Sequence, residues 1–338
     1  QMYFHYLCFS LYLKKTKGVR MKDNILIIGC RGQIGTELTS VLAQEYGKDR
    51  ILATDIREVG EGFPDVPFRL LDALDARAVE ETVEQNGIAQ VYHLSAMLSA
   101  VGETRPMDAW RLNMETLLTV LNLAREGKIE KIFWPSSIGA FGPHTELKFT
   151  PQYTVMDPDT VYGISKLSGE LWCRYYHERY GVDVRSVRFP GIISWKAAPG
   201  GGTTDYAVDI FHKAVQGQAY SCFLREDTFL PMIYMPDALR AIVELMRAPA
   251  ERLTVRTSYN LGAMSFSPRQ LAEVIAHRVP GFEIRYEPDF RQKIADTWPD
   301  ALDDACARQD WGWKPQYDIE QMADDMLRNL REKYAREQ

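Results

Sequence analysis

A doubly wound α/β fold, in which helices cover both faces of a parallel sheet, is predicted by three features of this chain. Short β-branched runs alternate with longer amphipathic ones between residues 24 and 189. The intervening helical stretches are long enough to carry the chain from one parallel strand to the next. The apolar run at 25–28 ends in a glycine-rich turn that opens a helix. Strands are expected at 25–28, 50–54, 67–71, 90–94, 131–134 and 183–189, with helices near 34–46, 75–86, 106–126 and 160–180. From Pro190 the alternation stops. Residues 190–205, rich in Gly, Pro, Ser and Thr, read as irregular loop. A helix at 236–248, a short apolar segment at 258–262 and helices at 267–278 and 318–335 follow. Two parts are therefore expected. Residues 21–189, with elements returning near 233–262, form a nucleotide-binding domain, and 190–232 with 263–338 form a smaller substrate-binding region.

Composition narrows the function. The 338 residues are 46% hydrophobic and 25% charged, and 40 Lys+Arg against 46 Asp+Glu leave a net charge of −6. No basic run suits a nucleic-acid backbone. The cysteines Cys8, Cys30, Cys173, Cys222 and Cys306 are odd in number and contain no CxxC pair. That spacing suits neither a disulfide framework nor a cysteine zinc site, and it points to a reducing compartment, the cytoplasm. No metal is expected.

The chain opens on an aromatic, apolar run from Tyr3 to Leu13, followed by Lys14, Lys15, Lys17 and Arg20. A secretory signal carries its positive charges ahead of the apolar stretch, and a helix of this length would rise only about 16 Å. A strand-like segment starts directly after Met21. Met21 is expected to be the natural start, with residues 1–20 an upstream or non-native extension and no membrane anchor.

The turn after the first strand reads Gly29-Cys30-Arg31-Gly32-Gln33-Ile34-Gly35. Gly29 permits the tight turn, Gly32 lets a pyrophosphate approach the backbone, and Gly35 lets helix and strand pack closely. The helix N-terminus offers free N–H groups and a positive dipole end to phosphates. Asp55 closes the next strand, where a carboxylate accepts from ribose hydroxyls and repels a 2′-phosphate, so NAD is favoured over NADP. Arg57 lies nearby and softens that preference. Asp72 is placed either for the adenine edge or as the N-cap of helix 75–86.

Tyr162 and Lys166 stand four residues apart on one helix face. A tyrosine near its reference pKa of about 10 is a poor base at neutral pH. An adjacent ammonium favours the phenolate, which can then take the proton of a substrate hydroxyl. Upstream, Trp134-Pro135-Ser136-Ser137 ends a buried strand at the carboxyl edge, where open α/β sheets bind ligands. A hydroxyl there can orient a substrate alcohol. Asn113, in a long helix, is a candidate for fixing a water or a backbone group.

With Arg188-Phe189-Pro190-Gly191 added, these residues resemble the extended short-chain dehydrogenase/reductase family, to which sugar-nucleotide epimerases belong. A narrower likeness lies in His93–Ala100, Gly200–Tyr206, Thr228–Asp237 and Ile294–Pro299. Together these segments look like the short-chain type of L-threonine 3-dehydrogenase. That resemblance implies NAD-linked oxidation of the threonine 3-hydroxyl to 2-amino-3-oxobutanoate, on the path to glycine or aminoacetone, in a homodimer built on helices near 106–126 and 160–180. It implies cofactor contacts from Gly29, Gly32, Gln33, Ile34, Gly35, Asp55, Asp72, Leu94, Ser95, Ala96, Asn113, Tyr162, Lys166, Pro190 and Ile192. Substrate contacts are expected from Ser99, Ser136, Ser137, Tyr162, Thr203, Thr204 and Trp298, with Tyr162, Lys166 and Ser137 catalytic. The chemistry is compatible: Gly200–Gly202 with Thr203 and Thr204 can embrace a carboxylate, and Trp298 can exclude water. Either Asp205 or Asp296 would meet the ammonium. A sugar-nucleotide epimerase or dehydratase is the alternative, although residues 194–235 offer only Lys196, Lys213 and Arg225 to a diphosphate. A non-catalytic NAD-sensing protein would have no need of Ser137, Tyr162 and Lys166 together.

Overall fold

The computed structural model describes residues 23–197 and 202–337. The expectation about residues 1–20, and the part played by Gly200 and Gly201, fall outside the described residues. The first half runs β1 (Asn24–Ile28), α1 (Gln33–Tyr46), β2 (Ile51–Asp55), β3 (Phe68–Leu70), α2 (Ala76–Gln85), β4 (Ile88–His93), α3 (Ser99–Thr104), α4 (Pro106–Arg125), β5 (Lys131–Phe133), β6 (Ser136–Ser137), α5 (Val161–Tyr180), β7 (Asp183–Arg185) and β8 (Val187–Phe189). The second half runs β9 (Gly191–Ile193), α6 (Tyr206–Val215), β10 (Tyr220–Cys222), β11 (Leu230–Tyr234), α7 (Met235–Arg247), β12 (Tyr259–Asn260), β13 (Met264–Phe266), α8 (Pro268–Ala276), β14 (Ile284–Tyr286), α9 (Arg291–Ala295), α10 (Ala305–Trp311) and α11 (Ile319–Glu337).

Six parallel strands form the main sheet in the order β3-β2-β1-β4-β5-β7, a Rossmann-type doubly wound arrangement. The period of two along each strand sorts its side chains between two cores. Ile25 and Ile27 face α1 and α7, packing with Leu38, Leu42 and Ile242. Leu26 and Ile28 face α2, α4 and α5, packing with Val79, Leu117 and Cys173. A third core gathers α6, β11, α8 and α11 around Phe211, Met232, Leu271 and Met326.

Three expectations are corrected here. The stretch 183–189 is not one strand, because its ladder partners change at Ser186. Residues 183–185 pair with β5, whereas Val187–Phe189 pair with β6 and β12. Within the segment read as loop, Gly191–Ile193 forms β9, held parallel to β11 by partners some forty residues away in the chain. The stretch Ala305–Trp313, assigned from sequence to the substrate side, places Ala307, Trp311 and Trp313 in the core that contains Ile25 and Leu38.

Behind β6 and β8 lies a buried ion pair. Arg188 donates from Nε and Nη2 to both oxygens of Glu170, and from Nη1 to Gln152 O (3.0 Å) and Asn260 Oδ1 (2.9 Å). Glu170 Oε1 also accepts from Ser136 Oγ at 2.6 Å. Both charged side chains are buried, so removing one leaves the other uncompensated. Arg188→Met should lower the unfolding free energy by roughly 3–5 kcal/mol in urea titrations. A variant within about 1 kcal/mol of the wild type would show that the pair does not hold these segments together.

Candidate active site

Each glycine of the first turn has its own steric reason. Gly29 has φ +86°, and a Cβ there would lie 2.8 Å from Ser95 Oγ and 2.9 Å from Ser95 N. Ser95 thus packs onto the turn. At Gly35 a Cβ would stand 2.4 Å from Gly29 O, so α1 lies directly on the loop. Gly32 differs: its nearest neighbour would be Gly29 O at an ordinary 3.4 Å. Nothing in the chain itself demands a glycine there, yet Gly32 borders a cavity at the N-terminus of α1. A side-chain-free backbone facing open space at a helix N-terminus suits a pyrophosphate.

That cavity, of about 250 Å³, runs from α1 across the carboxyl ends of β4, β6 and β8. Gly32, Gln33, Ile34 and Gly35 form one end, with Leu94, Ala96, Pro190 and Ile192 beside them. The other end is bounded by Ser99, Ser137, Thr203, Thr204, Asp205 and Trp298, and Tyr162 and Lys166 stand between. Most residues singled out in the sequence therefore meet in one place. Asp55, Asp72, Ser95, Gly29 and Asn113 are not in its wall. Asp55 accepts from Arg31 N (3.1 Å) and Arg57 N (3.2 Å), which ties the end of β2 to the glycine turn. Asp72 accepts from Leu74 N, and the N-cap of α2 is Asp75, not Asp72. Asn113 brackets the backbone of Met97, accepting from its N and donating to its O, and also donates to Ser165 Oγ. It fixes a backbone segment beside the cavity.

α5 begins where Thr160 accepts from Gly163 N at 3.1 Å. Gly163 lets the first turn press against the serine loop, since a Cβ would come 2.1 Å from Gly139 O. This contact brings Tyr162 within hydrogen-bond reach of the Ser137 hydroxyl. Lys166 donates to Pro135 O at 2.7 Å, and its Nζ lies 5.5 Å from the Tyr162 ring centre. The electrostatics differ from expectation. Burial pushes the Tyr162 phenol up, with the Ser137 hydrogen bond pulling it back. Burial also pushes the Lys166 ammonium down to about 7, with Cys173 and Glu170 acting the other way. Desolvation, which a sequence does not display, dominates both groups.

Ser136 has a second partner. It borders the cavity, but its hydroxyl is donated to Glu170. Glu170 escaped the sequence reading although its position, four residues after Lys166 and eight after Tyr162, marks the same helix face. Gly191 was quoted but given no role. Its missing Cβ admits Thr204, whose Cγ2 would lie 2.7 Å away. Of the two acidic candidates, Asp205 borders the cavity, while Asp296 is held by Arg225 (2.6 Å) and Gln292 (2.7 Å). Trp298 is both core and cavity wall. Among the described residues no group of three or more His, Cys, Asp or Glu is arranged for a metal ion, and no helix is long and apolar enough to cross a membrane.

Known proteins resemble this chain over most of its length. An uncharacterized epimerase/dehydratase of Staphylococcus saprophyticus is 49% identical over 306 residues, 90% of this chain and 95% of its own length. The structure of an L-threonine dehydrogenase from Cupriavidus necator, in its holo form, superposes with a TM-score of 0.89 at 57% identity, covering 91% of this chain and all of that one. A monomeric L-threonine 3-dehydrogenase of metagenomic origin gives 0.88 at 46% identity, covering 91% and 99%. A family model matches residues 25–262, from the first strand of the sheet to just past β12. With the glycine turn, the acid at the end of β2 and the Tyr–Lys helix inside that match, the chain belongs to the NAD dependent epimerase/dehydratase family.

Proposed function

We propose that this protein oxidises the 3-hydroxyl of L-threonine to 2-amino-3-oxobutanoate. The observation that carries this reading is the make-up of the cavity's far end. Hydroxyls (Ser99, Ser137, Thr203, Thr204) and one carboxylate (Asp205) bound it, while Lys166 is the only cation in the cavity wall among the described residues. A nucleoside diphosphate needs cationic partners. Lys196 pairs with Glu37 at 3.3 Å and Arg225 with Asp296, so neither is directed to that end. An amino-acid zwitterion needs donors for its carboxylate and an acceptor for its ammonium, which Thr203, Thr204 and Asp205 can provide.

NAD is the cofactor, and it supplies the hydride acceptor when bound. Gly32 through Gly35 would hold its pyrophosphate, and Asp55 its ribose. Ser137 Oγ orients the substrate hydroxyl. Tyr162 Oη takes the hydroxyl proton as the carbon–hydrogen bond breaks, and a charged Lys166 beside it favours the phenolate. Asn113, through Met97 and Ser165, is a positioning residue for the walls on either side. The product is a β-keto acid, prone to lose CO2. The division of the chain follows the same logic, with the nucleotide side built on the main sheet and the substrate side on the third core.

The described cysteines are all unpaired, which favours the cytoplasm. A dimer through α4 and α5 would cover Met107, Trp110, Ile164, Leu171, Trp172 and Tyr175, large apolar side chains left exposed on those helices. The relative described as monomeric makes solution mass the deciding measurement.

With L-threonine and NAD+ the protein should form NADH, and it should leave a panel of UDP-sugars unchanged. Turnover of a UDP-sugar without NADH from threonine would overturn the assignment. Tyr162→Phe should lose about 10²–10⁴ in kcat with NAD+ binding nearly unaltered. Retention of the wild-type rate would remove Tyr162 as the base. Gly32→Ala should fold normally and bind NAD+ about tenfold more weakly or worse, as followed by calorimetry. Unchanged affinity would place the pyrophosphate elsewhere.

A further inference from the structure

An ammonium surrounded by carbon tends to lose its proton, whereas the proposed reaction depends on Lys166 keeping it. Lys166 is 3% exposed. Its Nζ lies 4.6 Å from the ring centre of Trp134, and it donates to the carbonyl of the next residue, Pro135. A π face attracts a cation most strongly where water is excluded. The indole occupies this position because α5 leaves room for it. A Cβ on Gly169 would lie 2.4 Å from Trp134 Cη2 and 2.6 Å from Cζ2. One turn of chain thus supplies the ring, the carbonyl and, three residues after the ring, Ser137.

The other titratable groups around Lys166 are committed or neutral. Glu170 on the same helix is bound by Arg188 of β8 and by Ser136 of β6. Cys173, further along α5, is a buried thiol whose pKa is raised by burial. At the end of β4, His93 Nε2 lies 2.8 Å from Thr116 Oγ1, whose own proton goes to Leu112 O, so Nε2 is the donor. Burial holds that imidazole neutral, down to about 3. Tyr162 faces Lys166 from its own helix, and α4 contributes the uncharged Asn113 through Ser165.

We propose that Trp134, seated in the slot left by Gly169, is a positioning residue for catalysis whose indole face keeps Lys166 charged and directed at Tyr162. The inference rests on the reading of Tyr162 and Lys166 given above. Without the ring, the lysine gives up its proton more readily and the phenol becomes harder to ionise. The acid limb of kcat/KM then moves to higher pH.

Trp134→Leu, Trp134→Phe and Gly169→Ala are assayed with L-threonine and NAD+ across pH, alongside thermal unfolding and NAD+ titration. For Trp134→Leu the expected result is an acid limb raised by about one pH unit and a rate at neutral pH lowered about tenfold, with NAD+ affinity within about twofold. Trp134→Phe, which retains a smaller π face, should fall between it and the wild type. Gly169→Ala, which displaces the ring without removing it, should shift the limb in the same direction. A folded Trp134→Leu with an unmoved limb overturns the proposal, as does a loss of rate that is uniform across pH. Should Trp134→Leu fail to fold, an unmoved limb in Trp134→Phe overturns it equally. Tyr162→Phe separates the two levels. An active Tyr162→Phe removes the underlying reading, whereas an inactive one beside an unshifted Trp134 series removes only the role of the indole.

Discussion

The guanidinium of Arg188, buried against Glu170, is the contact on which the catalytic side of the molecule depends. Two ions taken out of water are tolerated only when their remaining hydrogen-bonding capacity is met, and here the partners come from separate parts of the chain. Gln152 contributes a carbonyl from the loop after the serine turn, Asn260 an amide oxygen from β12, and Ser136 a hydroxyl from β6. Met156 Sδ and the Phe141 ring complete the enclosure. The pair therefore fixes α5, β6, β8 and β12 relative to one another. Ser137 neighbours Ser136, and Lys166 precedes Glu170 by one helical turn. The distance between serine and tyrosine is in this way set by a charge pair that never meets the substrate.

The cofactor end is built on a different principle, the absence of side chains. Gly29 and Gly35 are required by the protein's own backbone approaches, whereas Gly32 leaves clear the cavity in front of it. Asp55 adds electrostatic order by accepting from Arg31 N, so the acid at the end of β2 also braces the glycine turn.

The two ends communicate through short polar ties. Gln33 Nε2 donates to Ile192 O, and Glu37, about one turn into α1, accepts from Ser194 Oγ and pairs with Lys196. The helix that opens after the glycine turn thus anchors β9 and, through Ser194 and Lys196, the residues directly after it. Gly191 in β9 receives Thr204 directly. The segment that would recognise an amino acid is consequently positioned from the nucleotide side.

Much of this was legible in the residues themselves. The alternation of apolar runs, the glycine turn, Asp55 and the Tyr162–Lys166 spacing are local patterns, and local geometry (the period of a strand, the face of a helix, a turn that only glycine permits) is what sequence encodes directly. The cavity wall was largely foreseen for the same reason. Three features were not. β9 exists only because β11 lies beside it, and nothing in Gly191–Ile193 states that partnership. Ser136 and Ser137 are chemically identical neighbours, and only the strand's alternation relative to Glu170 sends one hydroxyl behind the sheet and leaves the other near Tyr162. The protonation tendencies of Tyr162 and Lys166 depend on how completely other segments remove water from them. Residue types and spacing determined which groups are present and which face of an element they share. Tertiary packing decided their solvation and their long-range partners, because both depend on segments brought together from distant parts of the chain.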